Sequence, residues 1–217
     1  DAPPLIEIVP IVLVCSPIFG ALAIFFMYSI RLGGKISKAT KLSASYQIFF
    51  AALICGLIGL FVPEILGLGT NEMNNIFANQ YEIIFLFIIL IGKVFMTSLC
   101  IGFGFFGGIF APALYVGAAG GGFIANSLIL LGFSLSLPAL ALAGTAAVGA
   151  VAIGAPIATT LIILEFTGSY EFAVAAMIAV QVSTFMAHRL YGDSLFDMIK
   201  NTTEINGNGV LSAYSDN

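Results

Sequence analysis

Gly102-Phe103-Gly104-Phe105-Phe106-Gly107-Gly108-Ile109-Phe110-Ala111-Pro112 is the stretch on which the reading of this chain turns. Several glycines stand directly before an apolar run that only a buried or membrane helix can use. Glycine permits backbone conformations that a side chain forbids and lets another group come close. The N–H groups of Gly108, Ile109 and Phe110 are expected to open the first turn of a helix, where unsatisfied donors and the positive end of the helix dipole favour an anion. Pro112 suits that first turn, since its missing N–H has no partner to lose. No Asp, Glu, Lys or Arg lies between Lys93 and Glu165, so an ion held here is held by backbone dipoles rather than by a full opposite charge. The same glycines also fit a plain close contact between helices. Both readings stay open on these residues alone.

Composition sets the solvent. Of 217 residues, 60% are hydrophobic and 8% charged, against roughly 25% charged in a soluble domain. Apolar runs of about 20 residues recur, each enough to cross a hydrocarbon core of about 30 Å. The expected fold class is therefore all-α, a polytopic transmembrane helical protein. A net charge of −4 gives no basic footprint for nucleic acid. Cys15, Cys55 and Cys100 fall in separate apolar runs without metal-ligand spacing and read as small buried hydrophobes. His188, the one histidine, stands beside Arg189 at the end of an apolar run, which argues against a histidine-built metal site or a Ser-His-Asp triad. The chain opens at Asp1 with no basic leader and reads as a piece of something longer.

The first run, Ile8 to Ile30, is interrupted by Pro17 and Gly20 and leads into Arg31, Lys35, Lys38 and Lys41. Residues 31–41 read as a cationic loop, cytoplasmic by the rule that short Lys/Arg-rich loops stay inside. A second run, Tyr46 to Val62, carries Gly56 and Gly59 as a small face. Glu64 to Glu82, acidic and without a cation, reads as an outward loop with room for one short helix. In the third run, Tyr81 to Phe103, Lys93 lies well inside the apolar span. An intramembrane cation faces the protein interior and finds a partner. Glu165 is the other deeply placed charge by sequence, so a Lys93–Glu165 pair is one arrangement, with separate structural partners preferred. The fourth run, to Leu131, holds Gly117, Gly120, Gly121 and Gly122; the fifth, Leu135 to Ile153, is rich in Ala and Gly and should be largely enclosed by protein. Gly154-Ala155-Pro156 then breaks the chain. Ile157 to Phe166 is too short to span alone, the mark of a discontinuous helix. Glu171 to Ala187 makes one more crossing. Ser194 to Thr203 reads as a short amphipathic helix capped by Ser194, and 204–217 as a polar, disordered tail.

Gly107-Gly108-Ile109-Phe110-Ala111-Pro112 resembles the Gly-x-Phe-x-Pro signature of the CLC family of chloride channels and proton-coupled chloride antiporters. The flanks agree: Lys93-Val94-Phe95-Met96-Thr97-Ser98-Leu99-Cys100 resembles the helix leading into that loop, while Gly154-Ala155-Pro156 and Leu164-Glu165-Phe166-Thr167-Gly168 resemble later helix boundaries. The likeness runs from about Pro10 to about Thr203. It implies one half of an inverted-repeat fold with broken and re-entrant helices, occupying 1–203. It further implies anion transport, with chloride as the bound substrate, no cofactor, protons as a possible co-substrate, and a homodimer in a plasma membrane with the C-terminus cytoplasmic. The anion site carried over comprises Gly107, Gly108, Ile109 and Phe110, chiefly the amides of the last two. Lys93, Pro112 and Glu165 are structural or coupling candidates; no catalytic or metal-binding residue is implied.

Two departures stand out against the family pattern. Where the family has a tyrosine whose hydroxyl bonds the central anion, this chain has Phe196 in Ser194-Leu195-Phe196-Asp197. The ring remains and a donor is lost, an effect of roughly 0.5–3 kcal/mol on the ion; Tyr191 replaces it only if the loop repacks. The serine loop and gating-glutamate loop of the family's first half are also missing, so the chain looks like the C-terminal half, with the N-terminal half as its partner. Channel and antiporter are not distinguished by this half. Alternatives are another inverted-repeat transporter for cations or amino acids, which would use carbonyls and helix C-termini, a non-conducting half fragment, or an intramembrane hydrolase. The last would need a nucleophile with a base or paired acids, and one deep carboxylate with one boundary histidine supply neither.

Overall fold

A computed structural model describes residues 4–105 and 107–190. Among the described residues the chain forms eight α-helices and one 3-10 turn: α1 (Leu5–Thr40), α2 (Ala44–Phe61), the turn Pro63–Ile65, α3 (Thr70–Phe77), α4 (Ile83–Gly102), α5 (Phe110–Leu130), α6 (Leu137–Ile153), α7 (Pro156–Thr167) and α8 (Tyr170–Leu190). Five of them, α1, α2, α4, α5 and α8, are long and apolar enough to cross a membrane. At about 1.5 Å per residue, α6 and α7 are only about 26 and 18 Å long, short of a core of about 30 Å.

The short α6 is the centre of the bundle. It packs against α1, α5, α7 and α8, and 15 of its 17 residues are buried. Its sequence explains the placement: Ala139, Ala141, Ala143, Gly144, Ala146, Ala147, Gly149 and Ala150 leave a thin rod that neighbours can approach on every side. The α5 glycines use that thinness. A Cβ on Gly144 would lie 2.5 Å from the Gly117 carbonyl oxygen and 3.2 Å from Gly121 Cα, so the two helices touch backbone to backbone. Gly117 and Gly121 are four apart, the small-xxx-small spacing that lets membrane helices associate by van der Waals packing. The expectation of an enclosed fifth run holds.

The cationic segment differs from the expectation of a loop. α1 runs uninterrupted through Pro10, Pro17, Arg31, Lys35 and Lys38 to Thr40, and only Lys41 lies beyond it, with φ 53°. Lys and Arg are good helix formers, and Gly33 in their midst acts as a contact point rather than a break: a Cβ there would strike the Ser98 carbonyl of α4. Gln47 closes the corner into α2, donating from Nε2 to the carbonyls of Ser37 (3.1 Å) and Leu42 (3.0 Å) while its Oε1 accepts from Ser37 Oγ (2.6 Å). On the opposite flank Ser183 Oγ of α8 donates to the Ser16 carbonyl of α1 at 2.7 Å, beside Gly20.

Candidate functional site

The glycine loop is built by the way α4 stops and α5 starts. Gly104 has φ 93°, a left-handed conformation that L side chains rarely adopt. Its N–H donates to the Ile101 carbonyl at 3.2 Å, and the Phe105 N–H donates to the Cys100 carbonyl at 2.9 Å. That pair of bonds is a Schellman motif, so α4 ends by its own hydrogen bonding and the chain turns away. The glycines therefore divide their labour. Gly102 belongs to the plain reading, since a Cβ there would enter the backbone of Gly33 and Gly34 in α1. Gly107 and Gly108 are exposed, and a Cβ on either would meet nothing within 4 Å.

α5 begins at Phe110, with Ile109 at its N-cap and no side chain capping it. The helix opens with the Ala113 N–H donating to the Ile109 carbonyl at 3.0 Å. The amides of Ile109, Phe110 and Ala111 precede that bond, one position later than the sequence suggests, and Pro112 in the same turn has no N–H to contribute. Phe110 is 39% exposed and Ile109 half-buried. Three donors, the positive end of a 21-residue helix and open space at two glycines thus meet at one place, chemistry suited to an anion.

Lys93 lies elsewhere, about 14 Å before Gly102 along α4 at about 1.5 Å per residue. Its ammonium donates to the carbonyls of Ile65 (2.9 Å) and Gly67 (2.7 Å) and sits 4.7 Å from the centroid of the Tyr115 ring. Tyr115, fully buried, presses on Gly69 and donates from its hydroxyl to the Glu64 carbonyl at 3.1 Å. Lys93 and Tyr115 together clamp the segment between α2 and α3 onto α4 and α5. The deep Lys93–Glu165 pair is not made: Glu165 is exposed on α7, because the short helix presents that position outward, and Lys93 is served by carbonyls. Sequence spacing gives no sign of the clamp, whose hydrogen bonds join residues 26 to 51 positions apart.

The second break is as expected. Gly154, with φ 76°, ends α6 by donating to the Ala150 carbonyl at 2.8 Å, and Pro156 opens α7. Thr159 of α7 turns its hydroxyl to the carbonyls of Ala155 and Pro156 (3.2 and 3.1 Å). Phe196, Tyr191, the helix expected over 194–203 and the tail lie outside the described residues. Cys55 and Cys100, read separately in the sequence, meet: their Sγ atoms are 3.2 Å apart.

Comparison with known proteins places this architecture. The family model for the voltage gated chloride channel matches residues 2–188. The H(+)/Cl(-) exchange transporter ClcA of Salmonella gallinarum is 29% identical over 206 residues, 93% of this chain and 42% of that protein. ClcA of Salmonella agona is 30% identical over 188 residues, 85% of this chain and 39% of the relative. Among solved structures, that of a slow cyanobacterial Cl−/H+ antiporter superposes with a TM-score of 0.83 at 24% identity, over 96% of this chain and 49% of the other, and so shows the shared fold. The chain thus spans about two fifths of the curated relatives' length and about half of the solved structure. With a family match covering most of its length and an apolar helical bundle to go with it, this chain is an integral membrane protein belonging to the voltage-gated chloride channel (CLC) family.

Proposed function

We propose that the protein containing this chain carries chloride across a membrane, with the anion seated on the α5 amino terminus. The observation that supports it is the uncapped start of α5: Ile109 and Phe110 at the head of the helix, with Gly107 and Gly108 leaving the approach open. Dipoles without a fixed counter-charge bind an anion loosely enough for it to leave, which is what conduction needs. The Salmonella relatives are named H(+)/Cl(-) exchange transporters, and this favours proton-linked exchange over a channel. An N-terminal half of the family type completes the pore. Exposed apolar residues on α7 and α8, such as Ile157, Leu161, Met177 and Phe185, give a face for a second subunit or for lipid. The Arg31 to Thr40 end of α1, with Lys41 just beyond it, faces the cytoplasm of a plasma membrane in this reading.

Chloride efflux from liposomes carrying the intact protein is the direct test. Gly108→Leu puts a bulky group where nothing now stands within 4 Å; it should cut flux by about tenfold or more with folding unaltered, and undiminished flux would remove the loop from the path. Phe196→Tyr adds one O–H donor and should tighten halide binding by about 1–2 kcal/mol in calorimetric titration. An unchanged affinity would mean that residue 196 does not face the ion.

A further inference from the structure

Among the described residues, the Cys55–Cys100 contact brings together two reactive side chains that the anion site does not use. Sγ to Sγ is 3.2 Å across 45 residues of sequence, and a disulfide needs about 2.05 Å, so closure calls for a shift of roughly 1 Å. Both thiols are free and half-buried. The contact falls at the centre of the seam that holds α2. Ala51, Cys55 and Gly59 form a stripe at four-residue spacing: Ala51 and Gly59 are buried, and Gly59 lies against Leu66. The outward face of α2 is apolar, with Phe49, Phe50, Leu53, Leu57, Leu60 and Phe61 exposed. On the other side, Cys100 lies in the last turn of α4, and its carbonyl accepts the Phe105 N–H that closes the Schellman motif. The same face of α2 reaches the loop again, since a Cβ on Gly104 would lie 4.0 Å from Ile48 Cγ1.

We propose that Cys55 and Cys100 form a reversible disulfide that bolts α2 to the neck of the glycine loop, with a peroxide as the oxidant. One thiol attacks a peroxide oxygen; the O–O bond breaks, the sulfur becomes a sulfenic acid and water leaves. The second thiol attacks that sulfur, the S–S bond forms, the S–O bond breaks and a second water departs. Two electrons pass from the thiol pair to the peroxide, and a dithiol reverses the step by exchange. Joining α2 to α4 one turn before Gly104 stiffens the loop and slows whatever passes it. This last consequence rests on the proposed transport; the bond itself does not.

The intact protein in liposomes is treated with hydrogen peroxide, then unfolded in detergent and urea, alkylated with N-ethylmaleimide and digested with trypsin. Cleavage after Lys41, Lys93 and Arg189 leaves Cys55 and Cys100 in different peptides, so a linked 42–93 and 94–189 pair reports the bond. The expected result is loss of both alkylation sites, appearance of that linked pair, and return of both thiols with dithiothreitol. Cys55→Ala and Cys100→Ala each abolish the linked pair, while Cys15→Ala leaves it. Free alkylation of both thiols after peroxide, or oxidation of each one singly, overturns the proposal. In the same vesicles, chloride flux should fall on oxidation and recover on reduction in the parent and stay constant in Cys55→Ala. A linked protein with unchanged flux removes the regulatory role. Reduced protein without flux removes the transport reading and leaves the disulfide standing.

Discussion

α6 and α2 are both uninterrupted apolar helices of similar length, 17 and 18 residues, yet one is the axis of the bundle and the other the least buried of its membrane-length helices. Hydrophobicity does not separate them. Side-chain size does: α6 is built from Ala and Gly with a few Leu and Val, whereas α2 carries Phe49, Phe50, Leu53, Ile54, Leu57, Leu60 and Phe61 outward and has only Ala51, Cys55 and Gly59 along its inner seam. In lipid there is no water to drive apolar surfaces together, so helices meet where their backbones can come close and thick side chains are left to the acyl chains. Placement in this protein follows from where the small residues lie.

Substitutions of single residues sharpen that contrast. The largest effect is expected at the α5–α6 crossing: Gly144→Leu would drive a side chain into the Gly117 carbonyl, costing about 3 kcal/mol or more, read as loss of the monodisperse peak and a lower unfolding midpoint in detergent. An unchanged midpoint would show that the crossing is not close-packed. Lys93→Met comes next. It strips the donor from the carbonyls of Ile65 and Gly67 and should destabilise by about 2 kcal/mol, with faster proteolysis between α2 and α3; equal cleavage rates would mean the clamp does not hold that segment. Gly56→Ala on α2 is the smallest. Nothing lies within 4 Å of that position, so the midpoint should move by no more than about 0.5 kcal/mol in equivalent stability, and a large loss would place a hidden partner on the lipid face.

Breaks were easier to read from the chain than partners. Gly154-Ala155-Pro156 and Gly168 announce helix ends because the residue types that stop helices are few and act locally. The start of α5 was legible for the same reason, displaced by one residue. The Arg31 to Lys38 segment was not: its charges suggested a loop, but charged residues extend a helix readily, and Gly33 is there for α4. Partners of Lys93 escaped because they are carbonyls, which every residue possesses, so no side-chain pattern marks Ile65 and Gly67. Glu165 stands out in the sequence only as the next charge along. Tyr115 is by sequence one more aromatic in an apolar run, and the proximity of Cys55 and Cys100 across 45 residues leaves no trace in spacing.

The length of α1 has a mechanical consequence. Its apolar part, Ile8 to Ile30, is about 34 Å long at about 1.5 Å per residue, while the hydrocarbon it crosses is about 30 Å thick. A rod longer than its sheath leans, bends or thickens the sheath around it, and a thinner sheath asks more of each. Since α1 rests on α4, α5, α6 and α8 at once, any lean that α1 takes up is shared by the whole bundle, with α1 as the lever arm.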